Sequence, residues 1–135
     1  MRDRAILDSG VISAIYFEEE ASERAVTAAS QYSPITLDLA VAEVGNAAWK
    51  RVAFFQESRE AATLSLTKCL LFIKSCRIIN SLDLAGHAYQ IALENKSTFY
   101  DSLFLAAAEQ EEVPLLTLDK KMYLAAKEKN NVQMI

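Results

Sequence analysis

The amino-acid sequence predicts an α/β domain of three layers, in which a parallel sheet of four or five short strands is flanked by helices. Short apolar runs alternate with longer helical segments along the chain, and this alternation is typical of parallel sheets. Glycine occurs 3 times and proline 2 times in 135 residues, which leaves little room for flexible linkers. Hydrophobic residues make up 52% of the sequence, enough to bury a core. We therefore expect one domain over residues 1–135.

The first half of the chain alternates between apolar strands and amphipathic helices. The predicted elements are a strand over 5–7, helices over 11–17 and 21–31, a strand over 32–37, and helices over 39–55 and 57–74. Asp38 stands where it would cap the 39–55 helix. Apolar side chains in that helix recur at steps of three and four, so we expect them to face the core: Val41, Val44, Ala48, Val52 and Phe55.

The second half repeats the pattern. The predicted elements are a strand over 77–79, a helix over 82–94 capped by Ser81, a helix over 98–112, a strand over 115–118, a helix from Asp119 to about Lys129, and a strand over 132–135. Pro114 ends the 98–112 helix, since proline disfavours the helical conformation of the residue before it. The run from Leu115 to Leu118 is apolar throughout, as buried parallel strands usually are.

Two aspartates are brought together by the lengths of the last predicted helix–strand unit. From Asp101 the helix rises roughly 17 Å over about eleven residues. The strand after it returns roughly 16 Å over about five residues. The two lengths nearly cancel, so Asp101 and Asp119 are expected at the same edge of the sheet. In open parallel sheets, ligands bind at that edge.

Two further acids are expected close to this edge. Asp8 follows the first strand directly. Glu43 lies one helical turn from Asn46, so the two side chains reach toward the same point. A simpler explanation exists for the aspartates, because Asp8 and Asp119 stand at helix starts and Thr98-x-x-Asp101 matches a capping box.

The residue types favour a hard divalent cation at this site. Carboxylate oxygens without histidine or cysteine suit Mg²⁺ or Mn²⁺, which supports phosphoryl chemistry. The chain has 1 histidine and 2 cysteines, so a zinc site and a Ser-His-Asp triad lack support. The net charge of −4 becomes balanced when four acids are assigned to one site, because 18 − 4 leaves 14 acids against 14 bases. A phosphodiester substrate is therefore compatible with the charge.

The same residues resemble the PIN domain family of small metal-dependent nucleases. The matching segments span essentially the whole chain, in the order AILDSGV, DLAVAEVGNA, STFYDSLFLAAA and LLTLDKKM. The resemblance implies that the acidic quartet binds Mg²⁺ or Mn²⁺ and catalyses RNA hydrolysis: Asp8, Glu43, Asp101 and Asp119. It gives supporting roles to Ser9, Asn46 and Thr117. Gly10 departs from the family, which often has Asn or Ser at that position.

A PIN domain of this length looks like the toxin of a VapBC-type toxin–antitoxin pair. The resemblance then implies an RNA substrate, single-stranded or in a structured loop, an antitoxin partner and a homodimer. Trp49, Phe54 and Phe55 are either part of a partner groove or part of the core. Lys50 is a candidate phosphate contact, as are Lys120 and Lys121. The sequence has no signal peptide or membrane-spanning run and its cysteines look like reduced thiols, so we expect a cytoplasmic protein without membrane contacts.

Two alternatives to the toxin remain open. One is a PIN nuclease that processes RNA as housekeeping and has no antitoxin. The other is a catalytically silent module that uses the PIN fold for interaction. A phosphoacceptor receiver domain shares the fold class, but the chain lacks an early pair of adjacent acids and a suitably placed lysine.

Overall fold

A five-stranded parallel sheet forms the centre of the molecule, as seen in a computed structural model that describes residues 2–135. The strands are β1 (Asp3–Leu7), β2 (Tyr32–Leu37), β3 (Arg77–Ile79), β4 (Leu115–Thr117) and β5 (Val132–Met134). The helices are α1 (Ser9–Tyr16), α2 (Ser22–Ser30), α3 (Leu39–Ala53), α4 (Arg59–Ser75), α5 (Ala85–Asn95), α6 (Phe99–Glu111) and α7 (Lys120–Ala126). The predicted fold class is confirmed, with five strands.

Two apolar cores lie on opposite faces of the sheet. In β1, Ile6 packs into one core and its neighbours Ala5 and Leu7 into the other, because successive side chains of a strand point to opposite faces. In β4, Leu115 and Leu116 divide in the same way. Helices α5 and α6 cover the first core, and α1, α3 and α4 cover the second. Both faces are therefore buried, which explains why these strands are apolar throughout.

The strand order β3-β2-β1-β4-β5 determines where a ligand can bind. From β1 the chain adds β2 and β3 on one side, and then places β4 and β5 on the other. All neighbouring strands are parallel. The strand order therefore reverses between β1 and β4. At such a point the connections leave a crevice at the carboxyl ends of the two strands, and open α/β sheets bind their ligands there.

One predicted helix is divided in two. Residues Ser81–Leu84 form a short 3₁₀ turn ahead of α5, where a continuous helix over 82–94 was predicted. Two side chains hold the turn in place. Asp38 accepts hydrogen bonds from the Ser81 N–H (2.9 Å) and hydroxyl (3.0 Å). Asn80 accepts one from the Leu82 N–H (2.9 Å). Asp38 also accepts from the Leu39 N–H, so its predicted role as the cap of α3 is confirmed.

The predicted apolar stripe of α3 is wrong in two places. The buried stripe is Ala40, Val44 and Ala48, at steps of four, because this is the side that faces the core shared with α1 and α4. Val41 and Phe55 are exposed, and Phe55 follows the end of the helix at Ala53. An apolar face of this region is thus left at the surface. No helix among residues 2–135 is long and apolar enough to cross a membrane.

Candidate active site

Two aspartates follow directly from the central strands and also cap helices. Asp8 comes after β1 and accepts a hydrogen bond from the Val11 N–H (2.9 Å), which caps α1. Asp119 follows β4 by two residues and accepts from the Met122 N–H (3.1 Å), which caps α7. A helix cap does not prevent either aspartate from binding a ligand, because each cap uses only one of the two carboxylate oxygens. The predicted helix caps at Asp8 and Asp119 are therefore confirmed.

Helices supply the other two acids. Asp101 lies in the first turn of α6, where its backbone N–H donates to the Thr98 hydroxyl (3.1 Å). This is one half of the predicted capping box, and within residues 2–135 the Asp101 carboxylate accepts no hydrogen bond from the Thr98 N–H. Glu43 projects from α3 and accepts a hydrogen bond from the Ser9 hydroxyl (2.9 Å).

All four acids line one cavity of about 390 Å³ at the carboxyl ends of β1 and β4. The complete lining is Asp8, Ser9, Gly10, Glu19, Glu43, Asp101, Phe104, Leu118 and Asp119. Within residues 2–135, no lysine, arginine or histidine forms an ion pair with any of the four predicted acids. Negative charge is thus concentrated in the crevice between the carboxyl ends of β1 and β4. The four acids have no ion-pair partner there among the described residues.

Burial raises the pKa of three of the four acids, and neighbouring carboxylates add to the effect. Burial raises the pKa of Asp8 to about 6, and the nearby Asp101 and Glu43 carboxylates add to the effect. Asp8 is only 8% exposed. Burial also raises the pKa of Glu43 and of Asp101, with smaller contributions from Asp101 on Glu43 and from Asp119 on Asp101. The carboxylates are therefore close enough for one charge to disfavour the ionised form of its neighbour.

Thr117 connects the two strand-end acids. Its hydroxyl donates to Asp8 Oδ2 (2.6 Å) and accepts from the Asp119 N–H (3.0 Å). The side chain is fully buried. The hydrogen bond favours the ionised form of Asp8 and so opposes the effect of burial on its pKa. Thr117 therefore fixes the spacing of Asp8 and Asp119 and keeps the charge on Asp8.

We expect Thr117→Val to raise the pKa of Asp8 further and to lower the free energy of unfolding by about 1–3 kcal/mol, since buried partners lose their hydrogen bonds. Valine keeps the shape of threonine, so packing is little changed. The measurements are urea unfolding and the pH dependence of activity, whose acid limb should move to higher pH. Thr36→Val is the matched control: Thr36 is equally buried but donates to the Leu7 carbonyl (2.9 Å). It should lower stability without moving the pH profile, and a profile that moves equally in both variants would contradict the role given to Thr117.

The donor set fits a hard divalent cation in its chemistry, because it consists of carboxylate oxygens without a competing internal cation. No three Asp, Glu, His or Cys side chains within residues 2–135 lie close enough together to form a complete set of metal ligands. A cation in this cavity would therefore be reached partly through water. Mg²⁺ is suited to that mode, since it usually keeps several water ligands in proteins.

The other predicted site residues separate into two groups. Ser9 and Thr117 contact the acids directly, as described above. Asn46 is exposed and lines a neighbouring groove instead of the acid cavity. Lys50 lines that same groove, whereas Lys120 and Lys121 line neither space.

Two residues near the acids were missed by sequence reasoning. Glu19 lines both the acid cavity and the neighbouring groove, and its carboxylate pairs with Arg51 (2.8 Å). It is the middle member of Glu18-Glu19-Glu20, a run that has no pattern to distinguish one acid from another. Tyr100 lines the groove beside Asp101, and only its position next to that aspartate was a signal.

Comparison with known proteins places this arrangement in a family. The family model of the PIN domain matches residues 5–128, which contain all four acids. The chain belongs to the PIN domain family. Ribonuclease VapC3 of Pyrobaculum aerophilum is a PIN relative, 33% identical over 120 residues that cover 88% of this chain and 92% of that protein.

Solved structures share the PIN fold of this chain. PAE2754 from Pyrobaculum aerophilum has a TM-score of 0.74 at 22% identity, over 99% of this chain and 92% of that one. A toxin–antitoxin complex from Klebsiella pneumoniae has a TM-score of 0.72 at 17% identity, over 96% of this chain and 95% of that one. Gly10, the departure from the PIN pattern, is no steric requirement, because a Cβ there would lie 3.5 Å from Asp8 Oδ1, an ordinary contact.

Proposed function

We propose that this PIN protein is a divalent-metal-dependent endoribonuclease, the toxin of a VapBC-type pair, and that it acts in the cytoplasm. The observation that carries the proposal is the single cavity that four carboxylates line, none of which has an ion-pair partner within residues 2–135. Carboxylates that share a partly buried cavity repel one another, because the effective dielectric there is lower than in water. A group of this kind is stabilised when it binds cations. Ribonuclease VapC3, which is similar along most of the chain, supports RNA as the substrate.

We assign Asp8, Glu43, Asp101 and Asp119 as the residues that hold Mg²⁺ or Mn²⁺. When bound, the metal supplies a water activated for attack on phosphorus and an electrophile for the phosphate oxygens. Ser9 orients Glu43 through its hydroxyl, and Thr117 orients Asp8. Both hydrogen bonds hold a carboxylate in the site against the repulsion of the neighbouring acids.

Exposed apolar side chains support binding of a protein partner and of a second copy of the chain. Trp49 and Phe54 stack edge to face with ring centroids 5.2 Å apart, and both are more than half exposed. Phe55, which follows α3, and Leu64 on α4 are also exposed. Monomeric proteins rarely leave such surfaces uncovered. The similarity in fold to the Klebsiella pneumoniae toxin–antitoxin complex supports an antitoxin as one partner.

The decisive experiment is cleavage of a panel of labelled RNAs in Mg²⁺ or Mn²⁺, with and without EDTA. Endonucleolytic cutting that requires the metal and leaves 5′-phosphate ends is the expected result. Absence of cutting by a folded protein that also fails to bind Mn²⁺ in calorimetry would contradict the proposal and favour the silent interaction module.

The toxin assignment is tested separately from the nuclease. A small gene directly upstream that encodes a DNA-binding protein is expected, and its product should inhibit cleavage when the two proteins are mixed. A nuclease that is active but has no such neighbour and no inhibitor would instead be a housekeeping enzyme. Light scattering of the isolated chain should give the mass of a dimer.

A further inference from the structure

The acid cavity opens into a larger groove of about 620 Å³. The two spaces share four lining residues, Ser9, Gly10, Glu19 and Glu43, so they adjoin each other. Beyond these, the groove is lined by Ser13, Leu39, Ala42, Asn46, Ala47, Lys50, Arg51 and Tyr100. A polymer whose phosphodiester bond lies among the acids has to extend beyond the cavity, and this groove adjoins it.

We propose that the groove is the path of single-stranded RNA next to the cut site, with Tyr100 stacking on an unpaired base and Lys50 contacting a phosphate. This inference rests on the proposed ribonuclease activity. It concerns a different set of residues from the acids, and it can fail while the activity is confirmed.

Tyr100 has the properties of a stacking platform. Its side chain lines the groove and the residue is 60% exposed. Within residues 2–135 its ring has no aromatic partner, in contrast to Tyr16, which packs on Phe72. Tyr100 precedes Asp101 in the first turn of α6, and it lines the groove that shares Ser9, Gly10, Glu19 and Glu43 with the acid cavity, so a base on this ring would lie next to the acid site. Stacking of unpaired bases on aromatic side chains is the usual way in which proteins hold single-stranded RNA.

Helix α3 carries an acid near the cavity and a lysine farther along the groove, where the lysine could contact a phosphate of the RNA backbone. Glu43 and Lys50 are seven residues apart on the same face, which corresponds to roughly 10 Å along the helix axis. Both residues line the groove, with the acid at the cavity end. Lys50 forms no ion pair within residues 2–135. Its charge is therefore available to a substrate phosphate that leaves the acidic end.

Arg51 is not part of this contact, because its charge is already used inside the protein. Its guanidinium pairs with Glu19 (2.8 Å) and lies 3.9 Å from Glu57. It also lies over the ring of Phe17, 4.6 Å from the centroid. These contacts fix the wall of the groove and leave Lys50 as the lysine that faces the path.

Single-stranded RNA is favoured over duplex by the place of Tyr100. Bases in a duplex are stacked on one another, and the major groove of A-form RNA is too narrow for side chains to read. A paired base is therefore unable to stack on Tyr100, whereas an unpaired base next to the cut site can do so.

The test is RNA binding measured by fluorescence anisotropy, with labelled oligoadenosine as the probe. The background is Asp8→Asn, which prevents cleavage and keeps the cap of α1, because asparagine caps helices as well as aspartate does. Tyr100→Ala should weaken binding about ten-fold, within the range known for loss of one stacked base. Tyr100→Phe should bind like the parent, since the ring and not the hydroxyl is needed. The matched control is Tyr89→Ala on α5, which is 59% exposed and lines neither space.

Lys50 is tested by the salt dependence of the same binding. Lys50→Ala should reduce the slope of log affinity against log salt by about one, as expected for a lost phosphate contact. Lys68→Ala on α4 is the matched control and should leave the slope unchanged. A direct signal comes from Tyr100→Trp in a Trp49→Phe background, because Trp49 is the chain's one tryptophan. Its fluorescence should be quenched when the RNA binds.

Three results would overturn the inference. The first is equal RNA affinity of Tyr100→Ala and Tyr89→Ala in the Asp8→Asn background, while the wild-type protein cleaves RNA normally; this result leaves the proposed function intact. The second is absence of RNA binding by the parent. The third is a Tyr100→Ala variant that binds RNA normally but escapes inhibition by the antitoxin, since the groove would then belong to a protein partner. If RNA binding depends on Tyr100 but the wild-type protein cleaves no RNA, the proposed RNA path is supported and the proposed nuclease activity is contradicted.

Discussion

Asp101→Asn is expected to lower RNA cleavage by more than about 100-fold while the protein stays folded. Loss of a group that only supports a metal ligand typically costs about 10–100-fold, and loss of a ligand should cost more. The fold should survive because the helix cap uses the Asp101 backbone N–H and not its carboxylate. Removal of one negative charge from a crowded group also leaves stability unchanged or higher. Cleavage under saturating Mg²⁺ is the measurement, with circular dichroism to confirm the fold.

Asp83→Asn is the matched control for this substitution. Asp83 lies in the 3₁₀ turn before α5, is exposed, and lines neither the acid cavity nor the groove. Its variant should cleave like the wild type. Wild-type rates from Asp101→Asn would remove Asp101 from the metal site and with it the assignment of the cavity.

In EDTA, Asp8→Asn is expected to raise the free energy of unfolding by roughly 2 to 3 kcal/mol at neutral pH, although it abolishes cleavage. The buried Asp8 carboxyl has its pKa raised from 3.8 to about 6. The folded state therefore holds the proton more tightly than the unfolded state, and wild-type stability falls as pH rises from about 4 to about 6. One pKa unit corresponds to about 1.4 kcal/mol. Above pH 6 the full cost is present, and asparagine removes it.

Urea unfolding at several pH values measures this effect. The advantage of Asp8→Asn should be largest above pH 6 and should shrink toward pH 4. Mg²⁺ should stabilise the wild type and have little effect on the variant, which separates a metal site from a structural acid. Equal stabilities in EDTA at pH 8 would show that Asp8 carries no such cost, and Asp83→Asn should show none at any pH.

The strands and the acid cluster were accessible to sequence reasoning because both depend on local rules. Strand ends are marked by the acids that follow them, and the lengths of α6 and β4 are sufficient to bring Asp101 and Asp119 to one edge. The exposure of Val41 and Phe55 was not accessible in this way. It depends on which neighbours cover α3, and apolar spacing alone does not identify the covered side. The groove was hidden for the same reason, since Glu19 and Tyr100 meet α3 only through the packing of other helices.

Asp8 and Thr117, which share the 2.6 Å hydrogen bond at the centre of the site, are 109 residues apart in the chain. Ribosomes make a chain from its N-terminus, so Asp8 is synthesised before β4, Thr117 and Asp119. Until β4 has been made, β1 lacks one of its two neighbouring strands and Asp8 lacks the hydroxyl that binds its carboxylate. The arrangement of the four acids therefore forms only after β4 and Asp119 have been added to the nascent chain.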